Sequence, residues 1–545
     1  MRAIVATITA AVALAACSSS PGKPIPLALE VATPARGATT TGGSVTVTGT
    51  ASGDAVVVTV LGNAVAVGKD GSFSTTATVP PGISVIETDA IDRSGDKLVD
   101  VRAVLAGELA ASDGSVDSAI GAHASAAALA TIGDAVAVDA KSIDYTAVAK
   151  ALNPIYDNGG CLGAVVNIDD VSIGDVAVSL APSSGALATE VTLEHVSVKL
   201  GVSFKVACIG GSDTITVSAS AAHVSGDLGL HVTSGKLATS LSSPAVTLSG
   251  FELAVGGVPS EVVDLFRGTI QTKVQSALAN AIASKVPGIA NAKLAALLAA
   301  PFDGKLLGFA TKISITPTTA TISDSGLFVA ATTKVSVTGG DGGMFVTDPM
   351  PLTSSLLAST TDLGVAVAND LVNQLFAGLW AAGAFDATIP VSSLSVLAAL
   401  LDPDAANLKV SLALPPTVST DASGNLQLAV GDALIVVQDA GGNPLQQIAL
   451  SLTTTVSAAP VNGSISLALG APTVFAQVLA QADDGSRELT DAQVQGIVTG
   501  AWSIVGQQAS TALAKLPMPS LGGVHLGAPV VAAQPGFIVA DVALQ

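Results

Sequence analysis

Along residues 24–108, apolar and polar positions alternate in short runs. Val45/Val47, Val58/Val60, Val65/Val67 and Val99/Val101 each mark one face of an extended segment, parted by Gly, Asp and Ser. Two of the turns are "GKDGSFST" (68–75) and "DAIDRSGDK" (89–97), where Asp-Gly and Ser-Gly supply permissive dihedrals. Evenly spaced short strands predict a β-sandwich over 24–108. Residues 105–118, "LAGELAASDGSVDS", show no period and read as a boundary.

Beyond it, residues 109–545 alternate long β regions with isolated helices. In "VTLEHVSVKLGVSFKVAC" (191–208) Val191 and Leu193 are apolar at odd positions, whereas Val196, Val198, Leu200, Val202, Phe204 and Val206 are apolar at even ones. A change of phase in mid-strand predicts a bulge or a sharp bend. The second leg, 196–208, would span roughly 43 Å. Cys208 falls on its apolar phase and is expected to face inward.

Three helices stand out. Over 259–286 Ser260 can cap, and Val262, Phe266, Ile270, Val274, Leu278 and Ile282 form a stripe. Over 361–385 the stripe is Leu371, Val372, Leu375, Leu379 and Ala382. Over 489–517 Thr490 and Gln493 can make a capping box, with Val494, Ile497, Val498, Ala501 and Val505 as the stripe and Pro517 as the stop. A weaker pair is predicted around 117–135 and 145–153. Residues 445–470 read as a hairpin turning at Asn462-Gly463. Two halves emerge, each with long antiparallel strands and long amphipathic helices, and core packing alone would account for any single stripe.

The N-terminus changes the picture of where the chain sits. Met1-Arg2 precedes an apolar run, Ala3–Ala13, too short to cross a bilayer, which takes ~20 residues. Leu14-Ala15-Ala16-Cys17 resembles a bacterial lipobox, which implies a signal peptide over 1–16, lipidation of Cys17 and a flexible tether over 17–23. An ordinary signal peptide is the alternative. Ser18 after the modified cysteine implies the outer membrane, so the expected location is the bacterial cell envelope, on its periplasmic or surface face. The chain of 545 residues carries a formal charge of -20, which argues against nucleic acid as a partner and against electrostatic attraction to anionic lipid. Aromatic residues are 3% of the chain, too few for platforms that stack sugars or bases. With Cys17 assigned to the anchor, Cys161 and Cys208 remain. In an exported protein a bridge between them is the economical reading, two buried thiols the other.

The segments "GSVTVTGTASGDAVVVTVLGNAVAV" and "DGSFSTTATVPPGISVIETDAIDRSG" resemble bacterial immunoglobulin-like modules, which act as spacers or binding arms. The C-terminal half resembles bactericidal/permeability-increasing protein and lipopolysaccharide-binding protein, members of the tubular lipid-binding (TULIP) superfamily. The closest stretch is 513–544, where Pro517, Pro519, Val524, Leu526, Val531, Phe537, Ala540, Asp541 and Val542 match the family's Pro-rich elbow and last two strands. "TTDLGVAVANDLVNQLFAGLWAAGAF" resembles the helix opening the second barrel, residues 412–437 the strands after it, and "FRGTIQTKVQSALANAIASKV" the second long helix of the first barrel.

The resemblance implies an α+β fold: two tubes of long bent strands around long helices, joined by a central sheet and preceded by the immunoglobulin-like sandwich. The implied division is 24–108 sandwich, 109–300 first barrel, 301–350 central sheet and linker, and 351–545 second barrel. It also implies that Cys161 and Cys208 tie the first barrel. Phe266, Ile270, Val274 and Leu278, with Leu371, Leu375 and Leu379, would line tubes holding acyl chains of phospholipid or lipopolysaccharide. Burying a chain of about 16 carbons contributes roughly 12 kcal/mol, at ~0.8 per methylene. Because the chain is acidic, recognition through acyl chains rather than headgroup charge is expected, with a through-going apolar cavity beneath helix 260–286.

Catalytic signals are missing from the sequence. His123, His195, His223, His231 and His525 are scattered, and "DPDAAN" (402–407) lacks the Gly and Glu of a calcium loop. The expectation is a lipid-binding, membrane-anchored lipoprotein that is not an enzyme and needs no cofactor or metal. The alternative is a surface adhesion protein whose sandwich binds an envelope partner; it predicts a filled core.

Overall fold

A computed structural model describes residues 25–298, 301–348, 350–357, 361–394, 400–421, 424–461, 464–481, 489–500, 502 and 530–544, with side chains for all but 458–461, 464–467 and 481. The expected leader, lipidated Cys17 and tether lie outside the described residues, as do Pro517, Pro519, Val524, Leu526 and the Asn462-Gly463 turn.

Residues 28–106 form a sandwich. A three-stranded sheet (Ala28–Thr33, Ser44–Ser52, Ser72–Thr78) faces a five-stranded one in the order Ala38–Thr40, Lys97–Ala106, Gly82–Ile91, Val57–Val60, Asn63–Val65. Alternation puts Val47, Val58, Phe73, Ile86 and Ala90 into the shared core. The expected boundary at 105–118 is structured. Glu108–Ala111 pairs antiparallel with Met344–Thr347, and Ser115–Ser125 is flanked on both sides in the central sheet by Gly326–Val337 and Leu363–Ala368. Partners more than 200 residues away complete hydrogen bonds that no local period announces.

The first module is a sheet of seven strands built on a long hairpin, Ala186–Val206 and Ile209–Thr233, of 21 and 25 residues. The change of phase is present as a bend, not a bulge. His195 has φ +52°, yet the pairing of Glu194 with Ala221 and of Val196 with Ala219 runs through unbroken. The partner strand changes its buried face at the same level, so both strands turn together. The sheet thereby curls around one long helix. Strands at its two opposite edges, Tyr156–Asn158 and Lys236–Ser249, both pack against that helix.

We number the helices α1 (Ala126–Ala140), α2 (Tyr145–Lys150), α3 (Ser260–Ala295), α4 (Asn369–Ala381) and α5 (491–500). Helix α1 starts later than expected, because 115–125 is strand; the Ser125 hydroxyl caps it by accepting from the Ala128 N–H at 3.2 Å. Against the strand Asp175–Ser183 it comes so close that a Cβ on Gly133 would lie 2.6 Å from the Val178 carbonyl oxygen. Helix α3 runs past the predicted end and carries Pro287 inside it, whose carbonyl accepts from the Thr239 hydroxyl at 2.6 Å. Ser260 makes no capping hydrogen bond; the preceding Pro259 occupies the cap position. The predicted helix 361–385 is helical only from Asn369, because Leu363–Ala368 enters the central sheet between Ser115–Ser125 and Phe537–Val542. The Thr490/Gln493 capping box forms. The Gln493 side chain accepts from the Thr490 N–H at 2.8 Å, and the Thr490 hydroxyl accepts from the Gln493 N–H at 3.3 Å.

The second module is another seven-stranded sheet, centred on Leu426–Gln438 and Pro444–Val461, with α5 supplying Val494, Ile497 and Val498 to its core. The two curled sheets, the seven-stranded central sheet between them and the N-terminal sandwich make up the α+β architecture that the resemblance implied.

Candidate functional site

Within the first module α3 lies in the concave face of the curled sheet, with α1 and α2 beside it. Phe266, Ile270, Val274 and Leu278 are all buried, between 0% and 3% exposed, in one continuous apolar core. Phe266 meets Tyr156 edge-on, ring centroids 5.9 Å apart.

The expected through-going cavity is not there among the described residues. The trough retains a void of about 10 Å³, lined by Tyr145 and Ala149 of α2, Val274, Ala277, Leu278 and Ala281 of α3, and Ile168, Val171 and Val198 of the sheet. Such a space holds about one water, whereas drug-sized ligands occupy about 300–1,000 Å³. Around it the buried side chains of α3 and of the sheet pack in one apolar core. The lining is apolar apart from the Tyr145 hydroxyl, which donates to the Ala140 carbonyl at 3.1 Å and whose pKa burial pushes up to about 12.

The void lies beneath the shortest of the numbered helices. Helix α2 has six residues and is tied at few points. The Asp144 carboxylate accepts from the Ala147 N–H at 2.8 Å, and the Thr146 hydroxyl accepts from the Val171 N–H at 2.9 Å. Just after it, the Asn153 side chain pairs with both backbone groups of Ile168, at 2.7 and 2.9 Å. The register of Gly163–Ser172 shifts between Ile168 and Asp170, so α2 hangs on the irregular part of a strand.

Leu371, Leu375 and Leu379 do not line the second trough. Helix α4 packs on Gly326–Val337 of the central sheet and on Met344–Thr347, which pairs with Glu108–Ala111 in a separate two-stranded sheet, and Leu371 and Leu379 are buried in the core that also holds α3, with Leu375 against it. The second sheet has a separate core around Ala433, Ile448, Leu450, Leu489 and Val494. What the stripe left unseen is the polar face of α4. Asn373 hydrogen-bonds both backbone groups of Val418 at 2.7 and 3.1 Å, Gln374 donates to the Gly114 carbonyl at 2.7 Å, and Asp370 accepts from the Asp348 N–H at 2.8 Å. The polar run Asn369-Asp370…Asn373-Gln374 recurs at helical spacing and was the available signal.

At the far end of the long hairpin Cys161 and Cys208 form a disulfide. Contrary to expectation Cys208 faces outward, because the strand ends at Val206 and Ala207 and Cys208 make the turn, both at positive φ. Around the bridge Leu162, Val206 and Ile209 are exposed, Ile209 by 76%. Residues 158–168 and 199–212 contain no carboxylate, in a chain of net charge -20. No described helix is long and apolar enough to cross a membrane.

Residues 27–107 match the family model described as "Glucodextranase, domain B". No curated protein matches the chain. Among solved structures it is similar to "Crystal structure of lipopolysaccharide binding protein", at 13% identity over 79% of this chain and 99% of that one, with a TM-score of 0.46. It is also similar to "Solution structure of latherin", at 16% identity over 30% of this chain and 83% of that one, with a TM-score of 0.21.

Proposed function

We propose that the protein is an envelope lipoprotein, anchored through Cys17, that binds phospholipid or lipopolysaccharide by the acyl chains and holds or transfers them. The observation that carries this reading is the apolar trough around α3, with a residual void under the short helix α2. Small residues (Ala149, Ala277, Ala281) line that void, and its one polar group, the Tyr145 hydroxyl, is already satisfied by the Ala140 carbonyl, so a guest chain leaves no unpaired polar group behind. Binding requires α2 to move off the irregular strand and the trough to widen. The sequence resemblance to tubular lipid-binding proteins points the same way.

Native mass spectrometry with organic extraction tests this on the chain from residue 24, purified without detergent. The expected result is bound phospholipid or lipid A in near-integer ratio. Ala277→Leu puts more carbon into the void than it holds, at a cost of about 1–3 kcal/mol in stability, and blocks the space to a guest, so lipid content in the folded variant falls. A mass that stays free of lipid after incubation with membranes sinks the proposal and leaves the adhesion reading, which the filled trough favours.

In this reading the apolar tip around the disulfide, with Leu162, Val206 and Ile209 exposed, meets the lipid surface. Ile209→Asp is then expected to weaken association with phospholipid vesicles severalfold in a flotation assay and to leave the unfolding midpoint unchanged. Equal flotation of both proteins would remove the tip from the account.

A further inference from the structure

We infer that the N-terminal sandwich is a fixed brace on the outer face of the second module's sheet, gripping a bulge at Asp432 and so setting how that sheet bends. The expectation from sequence was a spacer or a binding arm.

The bulge is defined by register. In Leu426–Gln438, Val430 pairs with Leu452 and Ala433 with Leu450, so Gly431 and Asp432 both stand opposite Ser451. Val430 and Ala433 turn into the second module's core, which pushes Asp432 out through the other face. Asp432 is a non-glycine residue at φ +45° and only 3% exposed, an arrangement that its surroundings must hold in place. Its N–H donates to the Ser451 hydroxyl at 3.0 Å. Three donors to its carboxylate come from the sandwich: the Ala103 N–H at 2.9 Å, the Gly37 N–H at 3.1 Å and the Arg36 guanidinium at 3.2 Å.

A second grip lies on the adjoining strand Thr473–Gln481. Ala476 belongs to the inner core and Val474 and Val478 pack against it, so Gln477 faces outward. There its carboxamide accepts from Arg36 and from the Val101 N–H (2.9 Å), and donates to the Val99 carbonyl at 3.2 Å. The two surfaces leave no slack. A Cβ on Gly431 would lie 2.7 Å from that of Ala103, and one on Gly37 would lie 2.8 Å from that of Ala413. Ala103, Leu105, Val346 and Leu414 close a small apolar core across the joint, none more than 5% exposed. A buried carboxylate that takes all these donors from one domain is costly to leave behind, which is why the contact is permanent rather than transient.

The inference does not depend on what the troughs bind. It is tested in the chain from residue 24, which lacks Cys17, with nitroxide labels at Lys69→Cys, on a sandwich turn, and Lys409→Cys, on the second sheet, both exposed. Electron–electron double resonance is expected to give one narrow distance distribution, which Asp432→Ala and, separately, Arg36→Ala broaden. Hydrogen exchange in 426–438 should accelerate by at least about a hundredfold in Asp432→Ala. Should that variant not fold, Arg36→Ala alters only the sandwich side and carries both readouts. A broad distribution in the unaltered background, or a narrow one that survives both substitutions, overturns the brace. Domain release without faster exchange in the second sheet overturns its role in setting the bend.

Discussion

Replacing Asp370 by asparagine is expected to stabilise the protein at pH 7 by up to about 3 kcal/mol and to flatten a pH dependence that the unaltered chain shows between about pH 4 and 6. Asp370 is 9% exposed on the first turn of α4, and burial, helped by the neighbouring Asp348 carboxylate, pushes its pKa up to about 6, against the one hydrogen bond from the Asp348 N–H. The folded state therefore holds a proton that the unfolded chain has released. This contribution is fully present below the unfolded pKa and is lost as pH rises through 6, so the charged form is a burden at neutral pH. Asparagine keeps an acceptor for the Asp348 N–H and carries no charge to desolvate. Urea unfolding followed by the fluorescence of Trp380, which sits on the same helix with its ring N–H 2.8 Å from the Leu412 carbonyl, gives the comparison. Parallel stability–pH curves for the two proteins would mean that the Asp370 carboxylate is hydrated and ordinary.

Phe266→Ala is expected to lower stability by about 3–5 kcal/mol, the usual loss for a large aromatic side chain removed from a packed core. Phe266 is 0% exposed and lies at the closed part of the trough, two turns of α3 before Val274 and the void. The substitution opens a dry space continuous in direction with the one already present. Added phospholipid should then recover part of the lost unfolding midpoint, because a ligand that binds only the folded state stabilises it by mass action. Calorimetric scans with and without lipid separate the two effects. A loss below about 1 kcal/mol would contradict the packing described. A full loss with no recovery would confine guests to the α2 end.

How much of this was legible depends on how far each feature reaches along the chain. The bend at His195 showed as a change of phase, and the start of α5 as Thr490 and Gln493, because both are decided by neighbours within a few residues. Leu363–Ala368 was misread as helix. Its apolar residues fit a 3.6 period as well as a strand, and its partners, Ser115–Ser125 and Phe537–Val542, lie far off in sequence. The placing of Leu371 and Leu379 failed for the same cause: the stripe was real, but nothing local says which sheet it meets. Arg36 and Asp432, 396 positions apart, could not be joined from the sequence at all. The filled trough is likewise invisible to pattern, since alternation gives the facing of each side chain and not the space left between them.

The order in which the strands are made has a consequence for assembly. The first module, 126–298, has its sheet and its helices contiguous in the chain and can close as soon as it is synthesised. The central sheet cannot. Its middle strand, 115–125, waits for 326–337 and 363–368, and its last two described strands come from 530–542. The sandwich waits too, with Ala103 and Leu105 uncovered until 412–478 arrives. Contacts of such long separation form slowly. Until synthesis reaches the final strands, the nascent chain therefore carries a finished sandwich and a finished first module joined by an unpaired, apolar central strand, and that interval is when the protein is most exposed to misassembly and most in need of a chaperone.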